Sequence, residues 1–345
     1  MRKVLLLSFL FILFYRVEVS AQDPQFSQFY AAPLYLNPAF AGSTEYTRVG
    51  LNYRNQWPSF GAQFVTSSVY ADHYLEDYNS GIGMMLTYDK EGLAGRRIYN
   101  VGFVYSYQMR INDWITFRPG VQVSYARVGV NPSGLVFGDQ IDPSTGIVVP
   151  TTGESLSIAG VNMFDLGFGG MLYTKDIFLG ASLHHVTKPN QSINGGVDPL
   201  PMKMSIHGGY KYRFNNGTMG SGLYARPQER SLTPTAQYKK QGEFNQMDLG
   251  MYLTLEPIIF GMWYRGLPFK KFNELSNNES IVMLIGFVKR GKDDVLNVGY
   301  SYDYTISALG AGSGGAHEFT ISYQWSTRDP RKPPKHVMQI PCPNF

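Results

Sequence analysis

From residue 46 to residue 326 the chain alternates between apolar and polar positions. In "RVGLNYRNQ", Val49, Leu51 and Tyr53 share one side of an extended backbone, with Gly50, Asn52 and Arg54 on the other. "IYNVGFVYSYQMRI" sets Tyr99, Val101, Phe103, Tyr105 and Tyr107 against Asn100, Gly102, Ser106 and Gln108. "WITFRPGVQVSYARVGV", "NQMDLGMYLTLE", "VLNVGYSYDYT" and "AHEFTISYQW" continue the pattern. Strict period two marks strands with one apolar and one polar face. Fourteen segments follow: 46–56, 61–74, 81–89, 97–110, 114–130, 163–173, 176–187, 203–214, about 220–240, 246–256, 258–265, 281–289, 295–305 and 316–326. Pro227 and Pro234 interrupt the ninth, which could split in two.

Two architectures accept such strands. A soluble sandwich buries the apolar face and uses strands of about six residues. A transmembrane barrel turns that face to lipid, with strands of about nine to eleven residues and aromatics at both rims. The segments here often reach ten residues, Tyr, Phe and Trp gather toward their ends, and Gly, Ser, Asn and Gln dominate the polar face. The expectation is an all-β, transmembrane antiparallel barrel of about fourteen strands, the even number that single-chain bacterial barrels favour. With both termini periplasmic, the long connections 131–162, 188–202, 266–280 and 306–315 fall outside. Short turns such as Asn112-Asp113, Thr174-Lys175 and Glu256-Pro257, and the 215–219 link, fall inside.

Segments of other character flank the barrel, residues 46–326. Residues 1–21 read as a cleaved signal peptide: Arg2 and Lys3, an apolar run from Val4 to Tyr15, and the small-residue site Val19-Ser20-Ala21. About twelve apolar residues are too few to span a bilayer. Residues 22–45 open with "QDPQFSQFYAAPLYLNPAFAG", and residues 327–345 form a basic, proline-rich tail expected in the periplasm. In the opening stretch Pro24, Pro33 and Pro38 forbid a continuous helix. Phe26, Phe29, Tyr30, Leu34, Tyr35, Leu36 and Phe40 are too apolar for a free linker. An ordered plug or strap is expected, seated in the periplasmic mouth or under the barrel, with Asn37-Pro38 making a turn. The plug or docking residues are Phe26, Phe29, Tyr30, Tyr35, Asn37, Pro38 and Phe40.

Composition sharpens this picture. Aromatics make up 14% and charged residues 16%, with 37 glycines and 24 tyrosines, where a soluble chain carries about a quarter charged. No later stretch offers eighteen uninterrupted apolar residues, which excludes transmembrane helices beyond the leader. A scattered net charge of +4 gives no reason to expect nucleic acid as a partner. The single cysteine, Cys342, excludes an intrachain disulfide framework and any CxxC metal site.

The candidate chemistry is thin. His184 and His185 are adjacent, so on a strand one faces the lumen and the other the outer rim, and they cannot share a metal. Ser68 and Asp72 share a face but stand about 13 Å apart on a strand, with His73 pointing away, which fails the test for an activated nucleophile. "GDQIDPSTG" lacks the spacing and closing Glu of a calcium loop, and "GFGGM" has no helix after it to hold phosphate. Asp303 lies opposite Tyr300, Tyr302 and Tyr304 and is expected in the lumen, paired with an arginine such as Arg54, Arg118 or Arg265. The chain is expected to be non-enzymatic, with no cofactor.

Several words together resemble the PorP/SprF family of outer-membrane proteins of the Bacteroidetes type IX secretion system. They are "DPQFSQFYAAPLYLNPAFAG", "YRNQW" (53–57), "HHVTKPNQS" (184–192), "YSYDYTIS" (300–307) with "GGAHEFTISY" (314–323), and the terminal "IPCPNF" (340–345). Their order and spacing cover almost the whole mature chain. The resemblance implies an integral outer-membrane barrel needed for secretion, and often surface attachment, of partner proteins with a type B C-terminal domain, such as a gliding adhesin. It implies association with other secretion components in the periplasm or outer membrane. The competing expectation is a diffusion channel or solute transporter, which needs an open lumen.

Overall fold

The computed structural model describes residues 23–44, 46–61, 64–92, 95–130, 136, 138–142, 145, 148–149, 160–193, 195–214, 217–219, 226–272, 275–307, 310–327 and 338–343. The expected leader and most of the 131–162 connection lie outside them. Fourteen long strands build one sheet: β1 Thr47–Gln56, β2 Phe64–Leu75, β3 Ser80–Glu91, β4 Arg96–Tyr107, β5 Thr116–Val130, β6 Val161–Tyr173 and β7 Ile177–His184. They continue with β8 Lys203–Tyr210, β9 Arg230–Gln241, β10 Phe244–Leu255, β11 Ile258–Phe272, β12 Leu275–Arg290, β13 Asp294–Thr305 and β14 Ala316–Trp325. Each pairs antiparallel with its neighbours in chain order, and β14 returns to β1, with Leu51 opposite Ile321 and Arg54 opposite Glu318. The sheet is therefore a closed barrel with no free edge along its wall, the form in which strands cross a bilayer.

The alternation becomes an inside and an outside. On β1, Leu51 and Tyr53 are 40% and 43% exposed, whereas Asn52 and Arg54 between and beside them are 0% and 2% exposed. Phe103 and Tyr105 on β4, Val123 and Tyr125 on β5 and Ile285 and Phe287 on β12 are likewise exposed. Thr87, Ser106, Gln122, Ser182, Ser301 and Thr320 are buried. A water-soluble protein would invert this assignment. Here the apolar face is the perimeter that lipid covers and the polar face is the interior.

Two expected boundaries move. The ninth strand begins at Arg230, and the 211–229 connection carries the short pairs Tyr212–Arg213 with β9 and Gly217–Met219 with Arg226–Gln228. Pro234 stays inside β9 because the ladder to β8 runs only from Thr235 onward, so no partner needs the N–H that proline lacks. The expected loop 266–280 is instead the continuation of β11 and β12, joined through residues 273–274. Register shifts at Arg265/Gly266 and Leu267/Lys271 break the alternation there, which is why the strand pattern fades in the sequence. The turns 76–79, 174–176, 256–257 and 291–293 lie at one end of the barrel, and the longer 185–202 and 306–315 connections at the other, together with the short turn 242–243.

An arginine on the perimeter tests the inside–outside assignment. Phe103→Arg, near the middle of β4, is expected to cost about 2–4 kcal/mol in a bilayer. The check is a urea titration of protein refolded into lipid vesicles.

Candidate functional site

The distinctive feature of this barrel is what fills it. Residues 23–44 enter at the loop end, run the length of the lumen and reach the turn end, where β1 begins. The prolines leave them only one turn of helix, α1 Pro33–Leu36, and a 3-10 turn, Pro38–Phe40. Seven of its backbone N–H groups, those of Ala31, Tyr35, Leu36, Asn37, Phe40, Ala41 and Ser43, bond to carbonyls within the segment, and other peptide groups must find partners on the wall. The wall provides them from nearly every sector.

At the loop end, Gln241 Oε1 accepts from Asp23 N at 3.0 Å, and the Asp23 carboxylate meets His185 Nε2 at 2.7 Å and Lys203 Nζ at 3.2 Å. Tyr35 OH donates to the carbonyl of Pro24, and Lys203 Nζ sits 4.6 Å from the Tyr35 ring centroid. One step deeper, the Glu318 carboxylate accepts two consecutive backbone N–H groups, from Ser27 at 2.6 Å and Gln28 at 2.9 Å. Ser27 Oγ donates to Asp303 Oδ2 at 2.5 Å and accepts from Arg54 Nη1 at 2.6 Å and Arg265 Nη1 at 2.9 Å. Arg54 and Arg265 also bond Asp303 Oδ2, at 2.8 and 3.0 Å, and Arg265 Nε donates to Asp248 at 2.7 Å. Four charged side chains of the wall, Arg54, Arg265, Asp303 and Glu318, thus converge on one serine of the segment.

Below this cluster the segment's aromatic side chains meet the apolar sector of the lumen. Phe29 packs edge-on against Trp263, ring centroids 5.9 Å apart, and Tyr30 against Phe178 at 5.6 Å. Phe40 stacks on His207 at 5.8 Å. Phe26 lies against Tyr35, centroids 5.2 Å apart. Asn37 caps the 3-10 turn, its side-chain oxygen accepting from Ala39 N at 2.9 Å, while Nδ2 donates to the carbonyls of Ala181 and Gly170 at 3.0 and 3.2 Å. Here the segment touches the wall backbone directly. A Cβ at Gly169 would lie 2.0 Å from Asn37 Oδ1, and one at Gly120 2.4 Å from Ala39 N. Only glycine admits so close an approach.

At the turn end, Arg118 Nη2 donates to the carbonyls of Ala41 and Gly42, both at 2.7 Å, and Asp72, held by Arg48 at 2.8 Å, accepts from Gly42 N at 2.8 Å. Residues 338–343 fold back over this mouth. Ile340 and Cys342 join the same apolar cluster as Tyr30 and Phe40, and Thr116 Oγ1 lies 3.6 Å from Met338 Sδ. Burial pushes the Cys342 thiol up to about 11, well away from a reactive thiolate.

Several expected placements change. The segment is neither under the barrel nor confined to one mouth, because wall partners for its peptide groups extend over the whole height of the lumen. Asp23 consequently lies at the opposite end from residues 338–343, rather than both ends sharing one side. Asp303 meets Arg54 and Arg265, but Arg118 stands at the turn end on the carbonyls of Ala41 and Gly42. His185 does not face the outer rim. Its φ of 57° breaks the alternation after His184 and turns the ring inward, between Asp23 and Asp165, the latter 2.9 Å from Nδ1. Ser68 has Thr87 Oγ1 as its neighbour at 3.5 Å, and His73 bonds Thr47 at 2.9 Å. Glu318, Ser27, Gln28 and Asp248 join the site without having been expected there. Glu318 was visible as the acid in register with Thr320, Ser322 and Gln324 on the polar face of β14.

Charge couples the segment's upper end to pH. Burial disfavours a charged His185, but Asp23 and Asp165 outweigh it and push the imidazole up to about 9. Burial likewise opposes a charged Asp23, and His185 and Lys203 overcome this, holding its carboxyl well below the usual range.

Comparison with known proteins adds a family and general likenesses. A family model described as "Type IX secretion system membrane protein PorP/SprF" matches residues 18–323. No curated protein matches the chain. Among solved structures, a FadL homologue of Pseudomonas aeruginosa is similar over 85% of this chain and 93% of its own, at 10% identity and a TM-score of 0.46. The P. putida toluene transporter TodX is similar over 84% and 92%, at 12% identity and 0.44. A mutant Rh. blastica porin is similar over 81% and 97%, at 9% identity and 0.30. At such distances these structures say nothing about what this barrel does.

Two measurements probe the filled lumen. Arg54→Met leaves Asp303 and Glu318 one cation short and is expected to cost about 3–5 kcal/mol, read as a lower urea midpoint in detergent. The His185 contribution is fully present below the free imidazole value of about 6.5 and is lost as pH rises through about 9. Protection factors of residues 23–28 in hydrogen exchange should therefore fall ~10–100-fold between pH 6.5 and pH 10. In His185→Phe the low value should already hold at pH 6.5.

Proposed function

We infer the role of this chain from two facts: it belongs to the PorP/SprF family of type IX secretion system membrane proteins, and its barrel is filled by its own N-terminal segment. The proposed role is that of a non-enzymatic outer-membrane barrel that supports secretion, surface attachment or both, of a partner carrying a type B C-terminal domain. A gliding adhesin is one such partner.

The filled lumen is the observation that carries this reading. A conduit must offer a continuous wet path, whereas here Phe29, Tyr30, Leu34 and Phe40 are at most 4% exposed in the middle of the barrel. The segment lies directly against wall backbone, through its own backbone at Gly120 and through the Asn37 and Pro38 side chains at Gly169. Work on another macromolecule then falls to the two ends. In the proposed orientation the turn end faces the periplasm and the 185–202 and 306–315 connections face outward, with the extended β11–β12 hairpin beside them. Loops on a rigid scaffold are where binding is usually built.

The reading is tested by isolating the full chain from solubilised outer membrane and, separately, recording it in planar bilayers. Co-purification of a large surface protein with a type B domain, together with negligible conductance, is the expected result. Stable porin-like conductance steps with no such partner would overturn it in favour of a diffusion channel.

A further inference from the structure

The segment does not fill the lumen evenly. Beside its upper end, the lumenal faces of β3 to β7 enclose a cavity of about 90 Å³, roofed by Pro189 and Leu200 of the 185–202 connection. That is several times the roughly 10–15 Å³ one water requires and less than the ~150 Å³ of an apolar cavity that takes benzene. Asp89, Asn100, Gln122 and His184 line it from four strands. They come from different rungs of the ladder that face the same space: Asp89 pairs with Ile98, Asn100 with Thr87 and Ala126, and Gln122 with Val104 and Gly167, the last adjoining His184.

The polar groups of this cavity share one property. Asp89 Oδ2, Asn100 Oδ1, Gln122 Oε1 and His184 Nε2 are all buried and have no hydrogen-bond partner among the described residues. Asp89, Gln122 and His184 are 3%, 6% and 8% exposed. The first three are acceptors, and the imidazole nitrogen accepts when its proton sits on Nδ1. Buried polar atoms are normally paired, so four at one place point to an external donor.

Charge narrows the class. Asp23 is matched by Lys203 and His185, and Asp165 by His185. Arg96 is taken by Glu91 at 2.7 Å and Gln191 at 2.5 Å. Asp89 alone among the cavity's acids has no ion pair within 4.0 Å among the described residues: Arg96 acts on it only at longer range, Glu91 lies beside it, and Oδ1 receives Thr66 Oγ1 at 2.5 Å. A group bringing one positive charge and several N–H donors satisfies both needs. Ile98, Ala126, Met163 and the Tyr35 ring supply an apolar side to the same space.

We propose that this cavity binds a small organic cation, a protonated primary amine on a short alkyl chain. The ammonium donates to Asp89, Asn100 and Gln122, and the alkyl part lies against Ile98 and Met163. The site stands apart from the partner-binding role, since it lies on the lumenal wall beneath the 185–202 connection.

Ligand-observed NMR on the full chain in detergent tests it, with propylammonium as the probe and 1-propanol as its uncharged counterpart. Saturable propylammonium binding that 1-propanol does not displace is expected. Asp89→Asn, which removes the charge, and Gln122→Leu, which removes one acceptor, should each weaken it at least tenfold. The heat-modifiable mobility of a folded barrel qualifies each variant, and either one alone suffices. No saturable binding, equal binding of 1-propanol, or wild-type affinity in a folded variant would overturn the proposal.

Discussion

A peptide segment without regular secondary structure cannot be buried unless something else bonds its N–H and C=O groups. At membrane depth the requirement is absolute, because lipid offers no partner, and irregular backbone survives there only when enclosed by protein. The rest of this molecule can be understood from that constraint. Three prolines keep residues 23–44 irregular, and the lumen wall supplies the missing partners: Glu318 for the amides of Ser27 and Gln28, Asn52 and Tyr70 for the carbonyl of Ala31, Ser182 for Leu36, and Arg118 for Ala41 and Gly42. The polar face that the strands alternate inward is in this sense a fixed solvent for one particular chain.

Fixed solvent is also specific solvent. Ion pairs as buried as Arg54 with Asp303 and Arg265 with Asp248 recover little net energy once desolvation is counted, but each member is costly to leave alone. Arg54, Arg265, Asp303 and Ser27 belong to β1, β11, β13 and the segment, so the cluster is complete only when distant parts of the chain are correctly placed together. The glycines impose the same demand sterically. Gly120 leaves room for the backbone of Pro38 and Ala39, and Gly169 for the Asn37 and Pro38 side chains, where any Cβ would collide.

Much of this architecture is legible from residues alone, and the exceptions have identifiable causes. Alternation such as Val49-Leu51-Tyr53 against Asn52-Arg54 reports faces directly, since period two has one meaning in a closed barrel. Fourteen strands and the lumenal Asp303 follow from it. What alternation cannot express is a break in itself. His185 turns inward because its backbone is left-handed, and the β11–β12 extension loses its pattern at two register shifts. Path is harder still. The aromatic opening indicates burial, but its run along the whole lumen is set by partners such as Gln241, Glu318 and Arg118, which are separated widely in sequence and converge only after the barrel closes. Glu318 looks like any polar-face residue until its two amide partners are seen.

The path of the segment has a consequence for how such a barrel comes to exist. Its two ends, Asp23 and the start of β1 at Thr47, open onto different compartments, although a single short stretch of chain joins them. Residues 23–44 therefore span the height of the barrel without forming a strand of their own. The Glu318 carboxylate that holds Ser27 and Gln28 belongs to β14, whose pairing with β1 closes the ring. The seam that closes the ring is therefore also the one that fastens the segment. A chain built this way carries its own gauge of completion, because a barrel closed on the wrong register would leave Glu318 facing no amide at all.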